Sequence, residues 1–263
     1  MTPGAEVEPG AEVEFWTVRT DQPPAVVARL AGLLDAGERG RAGGLADPVG
    51  RDRFTVVHGV VRLLAAERLG VPAAGLRWRR GPQGKPEPVA TGRPAGGLQL
   101  NYSASGVLAV LALATGGRRV GVDVEELPPE RVAIRVAERF FPPEDAGFVA
   151  SGESPAVRAA RFAGLWCRRE ACVKVFGGRL VQGLRLPVGG PGTVRLPDTG
   201  QLGGGRGCSV RDVPLPPGFP GFRAAVAVEG VQPFRVRRRV WQEADHGVPV
   251  GIDMLNSPAA QRV

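Results

Sequence analysis

The sequence predicts an α/β protein of the α+β kind, with room for two modest halves. Three observations point there. Its 263 residues exceed a typical domain of about 100 to 200 residues. Apolar residues recur at helical spacing in four stretches, and between them lie short apolar runs, bounded by glycine and proline, that read as strands. Hydrophobic residues make up 43% of the chain and charged residues 23%, the balance of a protein with a buried core, and no apolar run approaches the roughly 20 residues that a membrane helix requires.

The opening PGAEVEPGAEVE is a hexapeptide written twice. Its polar character, punctuated by glycine and proline, makes residues 1–12 a frayed extension that leads into a first strand, VEFWTV. Residues 24–39 and 52–69 follow as amphipathic helices. In the second, Phe54, Val57, Val61, Leu64 and Ala65 share a face, Gly70 ends the helix, and His58 has a structural place. RRGPQGKPEP is a loop by composition, and LQLNYSASG carries a short strand into a turn. VLAVLALATGGRRVGVDVE reads as two apolar strands joined in a hairpin around a Gly-Gly turn. Helices are expected over 130–150 and 155–176, then a stretch rich in Gly and Pro over 186–221, a last buried strand GFRAAVAVEG, and a basic irregular tail over 231–263.

Charge and side-chain counts narrow the chemistry. A net charge of +8 favours an anionic partner without choosing among nucleic acid, phosphate-bearing cofactors and acidic proteins. Aromatic content of 6% with a single tyrosine, Tyr102, offers little for stacking on bases. Cys167, Cys172 and Cys208 lack CxxC spacing and read as free thiols. Two distant histidines, His58 and His246, are a poor basis for a histidine-ligated metal or a Ser/His/Asp triad, so any metal is expected to have oxygen ligands. Glu6, Glu8, Glu12 and Glu14 stand where a secretory signal would have a basic start and an apolar stretch, which makes the cytoplasm the expected compartment.

In GVDVE, strand alternation puts Asp123 and Glu125 on one face and Val122 and Val124 on the other. Such a pair is commonly just the solvated end of a strand. It also suits magnesium, provided a third oxygen ligand comes from elsewhere. In WCRREACVK, helical geometry places Glu170 and Lys174 beside the buried face marked by Phe162, Trp166 and Val173. An ordinary Glu-to-Lys pair one turn apart would be equally well served by arginine. Yet of 34 basic residues only Lys85 and Lys174 are lysine. Lysine is a compact, mobile charge that can release its proton, whereas guanidinium stays protonated, so the exception favours a catalytic Lys174. Lys85 lies among the glycines of GPQGKP, where backbone and ammonium can approach a phosphate. NYSASG adds Ser103, Ser105 and backbone donors at a turn.

Taken in order, ERGR, GKP, NYSAS, GVDVE and WCRREACVK resemble the 4'-phosphopantetheinyl transferases of the Sfp type, from about residue 13 to about residue 230. The resemblance implies that family's fold: two similar α/β halves in an intrachain pseudo-dimer, here 13–116 and 117–230, with the metal site at their interface. It implies that Asp123, Glu125 and Glu170 bind Mg²⁺ and that Glu170 is the base and Lys174 the group on the departing phosphate. Arg39, Arg41, Arg53 and Lys85, with Ser103, would hold coenzyme A as co-substrate. The phosphopantetheine arm would pass to a serine of an apo acyl or peptidyl carrier protein of fatty-acid, polyketide or nonribosomal-peptide synthesis. The chain would be a monomer with neither nucleic acid nor membrane as partner. Two departures stand out: Ala104 replaces the family's histidine in NxSHS, and Arg169 replaces its lysine in WxxKE. Glu144 and Asp145 lie near a further acidic position of the family and receive no role. Two other readings remain: a relative that binds coenzyme A without turning it over, and a basic nucleic-acid-binding module.

Overall fold

The computed structural model describes residues 12–81, 85–89, 97–178, 180–190, 192–195 and 207–246. Within them the chain builds one pattern twice: a strand, helices, then antiparallel strands of which the last returns to pair with the first. The N-terminal half contains β1 (Glu12–Arg19), α1 (Pro24–Ala31), α2 (Ala36–Gly43), α3 (Pro48–Leu69), a small β2 (Arg77–Arg80) and β3 (Pro86–Val89) pair, β4 (Gln99–Ser105) and β5 (Leu108–Ala114). The C-terminal half contains β6 (Val120–Glu126), α4 (Glu130–Phe140), α5 (Pro143–Ala150), α6 (Pro155–Val175), β7 (Thr193–Arg195), β8 (Gly207–Asp212) and β9 (Phe222–Glu229), after which comes β10 (Arg235–Val240). The sheet orders are β10-β1-β5-β4 and β6-β9-β8-β7. Hence β5 pairs antiparallel with β1 as β9 does with β6, and the two α/β halves are alike.

Side-chain alternation sorts each strand between two cores. Val110 and Ala112 of β5 meet Val122 and Val124 of β6 and Val226 of β9 in an apolar layer between the sheets. The alternate residues Ala109, Leu111 and Leu113 pack under α1 and α3, while Ala225 and Ala227 pack under the helices of the second half. The result is four layers: helix, sheet, sheet, helix. Because β5 is buried along its whole length, its sequence shows no polar alternation. Among the described residues no helix is long and apolar enough to cross a membrane.

The structure departs from the expected elements in five places: RRGPQGKPEP, expected as a loop, gives its two ends to β2 and β3, which pair antiparallel, and the other four each have a local cause. The helix expected over 24–39 is two, because Asp35 and Glu38 form a reciprocal capping box that starts α2 afresh. The helix expected over 130–150 breaks at Pro142 and Pro143, the second of which opens α5. The apolar strands on either side of the Gly-Gly turn do not pair: β5 and β6 belong to different sheets. The true hairpin is β4–β5, with Ser105 opposite Leu108 around Gly106 at φ 54°, a left-handed conformation suited to a two-residue turn. Finally, the tail expected to be irregular contains β10, which pairs parallel with β1 from Glu12↔Arg235 to Thr17↔Val240. So GFRAAVAVEG is not the last strand. Residues 1–11 of the expected extension and 247–263 of the tail lie outside the described residues.

Helix α6 lies directly on β6. A Cβ on Gly121 would stand 2.1 Å from the Ala171 carbonyl oxygen and 2.6 Å from the Val175 nitrogen, both backbone atoms that cannot swing aside. Gly121→Ala is therefore expected to destabilise the protein by about 1 to 3 kcal/mol through overpacking, read as a lower denaturant midpoint with an unchanged m-value.

Candidate active site

The two sheets meet along a polar seam where β4 runs beside β6. On β4, residues two apart share a face, and three of them reach across. Asn101 Oδ1 accepts from the Val122 nitrogen at 2.9 Å, Ser103 Oγ donates to Asp123 Oδ1 at 2.7 Å, and Ser105 Oγ donates to Glu125 Oε2 at 3.1 Å. The Lys174 ammonium comes from α6 and donates to Asp123 Oδ1 at 2.6 Å and to Ser103 Oγ at 2.9 Å. Asp123 is 1% exposed, and its other oxygen, Oδ2, is buried without a hydrogen-bond partner.

Glu125 and Glu170 stand close enough to Asp123 to feel its charge. Burial, reinforced by Asp123, pushes the Glu125 carboxyl up to about 7, against the hydrogen bond from Ser105. Burial also raises Glu170, with Lys174 opposing the shift and Asp123 adding to it. Three part-buried or buried carboxylates facing one ammonium carry an excess of negative charge, and a buried carboxylate oxygen is left unpaired. This all-oxygen donor set fits a hard divalent cation. The carboxylates are not drawn together into a ligand cluster: among the described residues no three His, Cys, Asp or Glu side chains form one.

The structure brings Ser103, Asp123 and Lys174 into contact. Ser103, expected on the coenzyme, instead binds an acid and a lysine of the cluster. The four other expected phosphate ligands lie elsewhere, and among the described residues no hydrogen bond or ion pair joins them to that cluster. Arg39 donates to the Leu34 carbonyl. The Arg41 guanidinium carbon sits 5.9 Å from the centroid of the Phe54 ring. Arg53 has a buried Nε without a partner and lies near Asp21. Lys85 donates to the Val120 carbonyl at 2.6 Å, tying the residue before β3 to the first residue of β6. Ala104 is exposed and, by strand alternation, lies on the face of β4 opposite Ser103 and Ser105, together with Tyr102.

Arg169 does not preserve a charge at the site. It is 0% exposed, pairs with Asp145, and donates to the Leu184 carbonyl at 2.9 Å and the Leu165 carbonyl at 3.1 Å. It is a buried strut, and Asp145 is its counterion, while Glu144 is exposed. His58 has the structural place expected of it, stacked on Phe54 with centroids 3.9 Å apart. All three cysteines are free and buried. Cys167 donates its thiol to the Arg223 carbonyl at 3.2 Å, and burial beside Asp123 and Glu125 holds it well above the usual thiol range. Sequence reasoning missed Asn101 and passed over Ser105 as a site residue. The signal was the two-residue spacing of N-x-S-x-S, which places all three polar side chains on one face.

A 4'-phosphopantetheinyl transferase superfamily model matches residues 119–199, the span that holds GVDVE and WCRREACVK. A protein of Synechocystis sp., slr0495, provisionally named a 4'-phosphopantetheinyl transferase, is 30% identical over 190 residues, 71% of this chain and 75% of that protein. The 4'-phosphopantetheinyl transferase HetI of Nostoc sp. is 32% identical over 167 residues, 63% of this chain and 69% of its own. The chain belongs to the 4'-phosphopantetheinyl transferase superfamily. Within the matched span of this transferase, Asp123 and Lys174 meet at the seam, while Arg169, next to Glu170, serves the core.

Two predictions follow from these environments. Removing the counterion in Asp145→Ala leaves a buried guanidinium unpaired and is expected to cost about 3 to 5 kcal/mol, measured by chemical denaturation. Burial, with repulsion from Arg119, pushes the Lys85 ammonium down to about 8. Its folded-state value is thus below its unfolded one, and the cost of charging it in the fold disappears as pH rises from about 8 toward 10.5. Amine-acylation kinetics followed by peptide mass mapping should show Lys85 labelling with a midpoint near pH 8, and a midpoint near that of a free lysine would refute the part-buried placement.

Proposed function

We propose that this transferase moves the 4'-phosphopantetheine arm of coenzyme A to a serine of an apo acyl or peptidyl carrier protein, giving holo carrier and 3',5'-ADP. The observation that carries the reading is the convergence of Asp123, Ser103 and Lys174 at the seam, with Glu125 and Glu170 coupled to it, in a member of this superfamily. Asp123, through its unpaired Oδ2, together with Glu125 and Glu170 would hold Mg²⁺. When bound, the metal supplies charge neutralisation and orientation at the pyrophosphate.

The protein groups then divide the remaining work. Glu170 accepts the proton of the serine hydroxyl as its oxygen forms a bond to the nearer phosphorus of the pyrophosphate arm. The bond from that phosphorus to the bridging oxygen breaks, its electron pair leaves with 3',5'-ADP, and the Lys174 ammonium stabilises the charge that develops there. Ser103 positions both, since its hydroxyl accepts from Lys174 and donates to Asp123. The exposed arginines of α2, Arg39 and Arg41, and Lys85 offer positive charge for the nucleotide phosphates, Arg41 lying near Tyr102 of β4.

Intact-mass analysis of apo carriers incubated with the protein, coenzyme A and Mg²⁺ should show a gain of about 340 Da, the arm attached through a phosphodiester. Asp123→Ala and Glu170→Ala are expected to abolish transfer with the fold retained, and near-normal turnover of either at limiting Mg²⁺ would refute the metal assignment. Lys174→Arg should lose most of the rate, because the longer planar guanidinium cannot reproduce the paired contacts to Ser103 and Asp123. Ala104→His should lower the KM for coenzyme A with little change in kcat, the pattern of added uniform binding. Transfer seen only in Ala104→His would favour the reading of a relative that binds the coenzyme without turnover.

A further inference from the structure

Helix α6 runs antiparallel to β6, and its contact with the strand continues past Gly121 toward the acids. Ala171 and Val175 lie over Gly121. Cys167 donates its thiol at 3.2 Å to the carbonyl of Arg223, the residue paired with Glu125 across the β6–β9 ladder. Four residues of helix advance about 6 Å and two residues of strand about 6.6 Å, so one turn of α6 spans two residues of β6. One turn before Ala171, Cys167 therefore lies over Asp123.

Cys167 is 0% exposed and part of the core of the second half, where a free cysteine commonly serves only as a small apolar side chain. Here its surroundings are polar on one side. The thiol is held by a backbone carbonyl and also lies within reach of the Asp123 carboxylate. That carboxylate is fastened at one end: the bonds from Ser103 and Lys174 both finish on Oδ1, and Oδ2 is buried without a hydrogen-bond partner. A carboxylate held by one oxygen turns about its Cβ–Cγ bond unless another group packs against it. A thiol suits that place, because it fills space, is a weak donor and adds no charge.

We propose that Cys167 is a positioning residue for Asp123: its thiol, anchored on the Arg223 carbonyl, packs against the carboxylate and limits its rotation, so that Oδ2 stays turned to the divalent cation. The proposal rests on the metal assignment of the transferase reading above and adds to it a residue that touches neither cation nor substrate. It also gives the first turn of WCRREACVK a part in the site. Cys167, Glu170 and Lys174 fall within about 60° of one another around α6, so one helical face carries the group that steadies Asp123, the second acid and the lysine. Removal of the thiol frees the carboxylate to turn and weakens the hold on the cation without removing a donor oxygen.

Binding of Mn²⁺, followed by the loss of the free ion's electron-spin-resonance signal with coenzyme A present, tests this without turnover. Cys167→Ala is expected to bind Mn²⁺ about tenfold more weakly than the natural protein, the loss that follows removal of a group orienting a metal ligand. Cys167→Ser, which restores a donor of similar size, should stay within about threefold. The Mg²⁺ concentration that gives half-maximal transfer should move in parallel, with little change in kcat at saturating Mg²⁺. In the natural protein the Cys167 S–H stretching band, identified by its loss in Cys167→Ser, should move when Mg²⁺ is added, a shift that packing alone would not produce. Thermal midpoints close to that of the natural protein establish that the variants are folded. An S–H band that Mg²⁺ leaves in place, or a folded Cys167→Ala that binds Mn²⁺ within about twofold of the natural protein, would overturn the positioning role and leave the metal assignment standing. A natural protein that binds no Mn²⁺ in the presence of coenzyme A would overturn both.

Discussion

The contact of α6 with the bare backbone of β6 at Gly121 sets the geometry on which the rest of the site depends. With no side chain between them, helix and strand approach until the Ala171 carbonyl would touch a Cβ. At this separation Lys174, one turn further along the helix than Glu170, spans the gap to Asp123 at 2.6 Å. A larger residue at 121 would lift the helix, and the lysine would lose its grip on both Asp123 and Ser103. The alanines of β9 that face α6, Ala225 and Ala227, are both 0% exposed and extend the same small-residue floor under the helix.

The seam between the sheets is polar for a reason that follows from its place. Edge strands present backbone groups that need partners, and β4 and β6 are each the edge of a sheet. They are not joined to each other by a regular ladder. Side chains bridge them instead: Asn101 satisfies the Val122 nitrogen, and the two serines engage the two β6 acids. A fold that packs two sheets face to face thereby leaves one strip where carboxylates can be held, part-buried and mutually repelling, next to a helix that supplies a lysine. Burial at this strip, with the charge of Asp123 adding to it, raises the proton affinity of Glu125 and Glu170.

The buried ion pair of Arg169 and Asp145 shows how closely structure and chemistry are interleaved on α6. Glu170 points to the seam, while its neighbour Arg169 turns into the core of the second half, its guanidinium carbon 3.8 Å from the Phe141 ring centroid. Adjacent helix positions are about 100° apart, so one motif can supply a site residue and a strut in successive letters. A sequence comparison that reads Arg169 as a conservative change at the site misses that the side chain never reaches it.

Much of the protein was legible in its sequence. Periodicity located the helices, and alternation in GVDVE correctly separated Asp123 and Glu125 from Val122 and Val124, because side-chain direction along a strand is fixed by local geometry alone. The scarcity of lysine singled out Lys174, which the structure binds to Asp123. What the sequence could not determine was which strands pair and which way long side chains turn. The Gly-Gly turn looked like a hairpin, yet β5 and β6 separate into two sheets, and a stretch that looked irregular became β10 by lying along β1. Arg39, Arg41, Arg53 and Lys85 looked alike as cations, but their partners are a carbonyl in the preceding turn, a ring on another helix, the surroundings of Asp21 and the first residue of β6. Pairing and side-chain direction depend on contacts between residues far apart in the chain, and only the packed tertiary structure chooses among them.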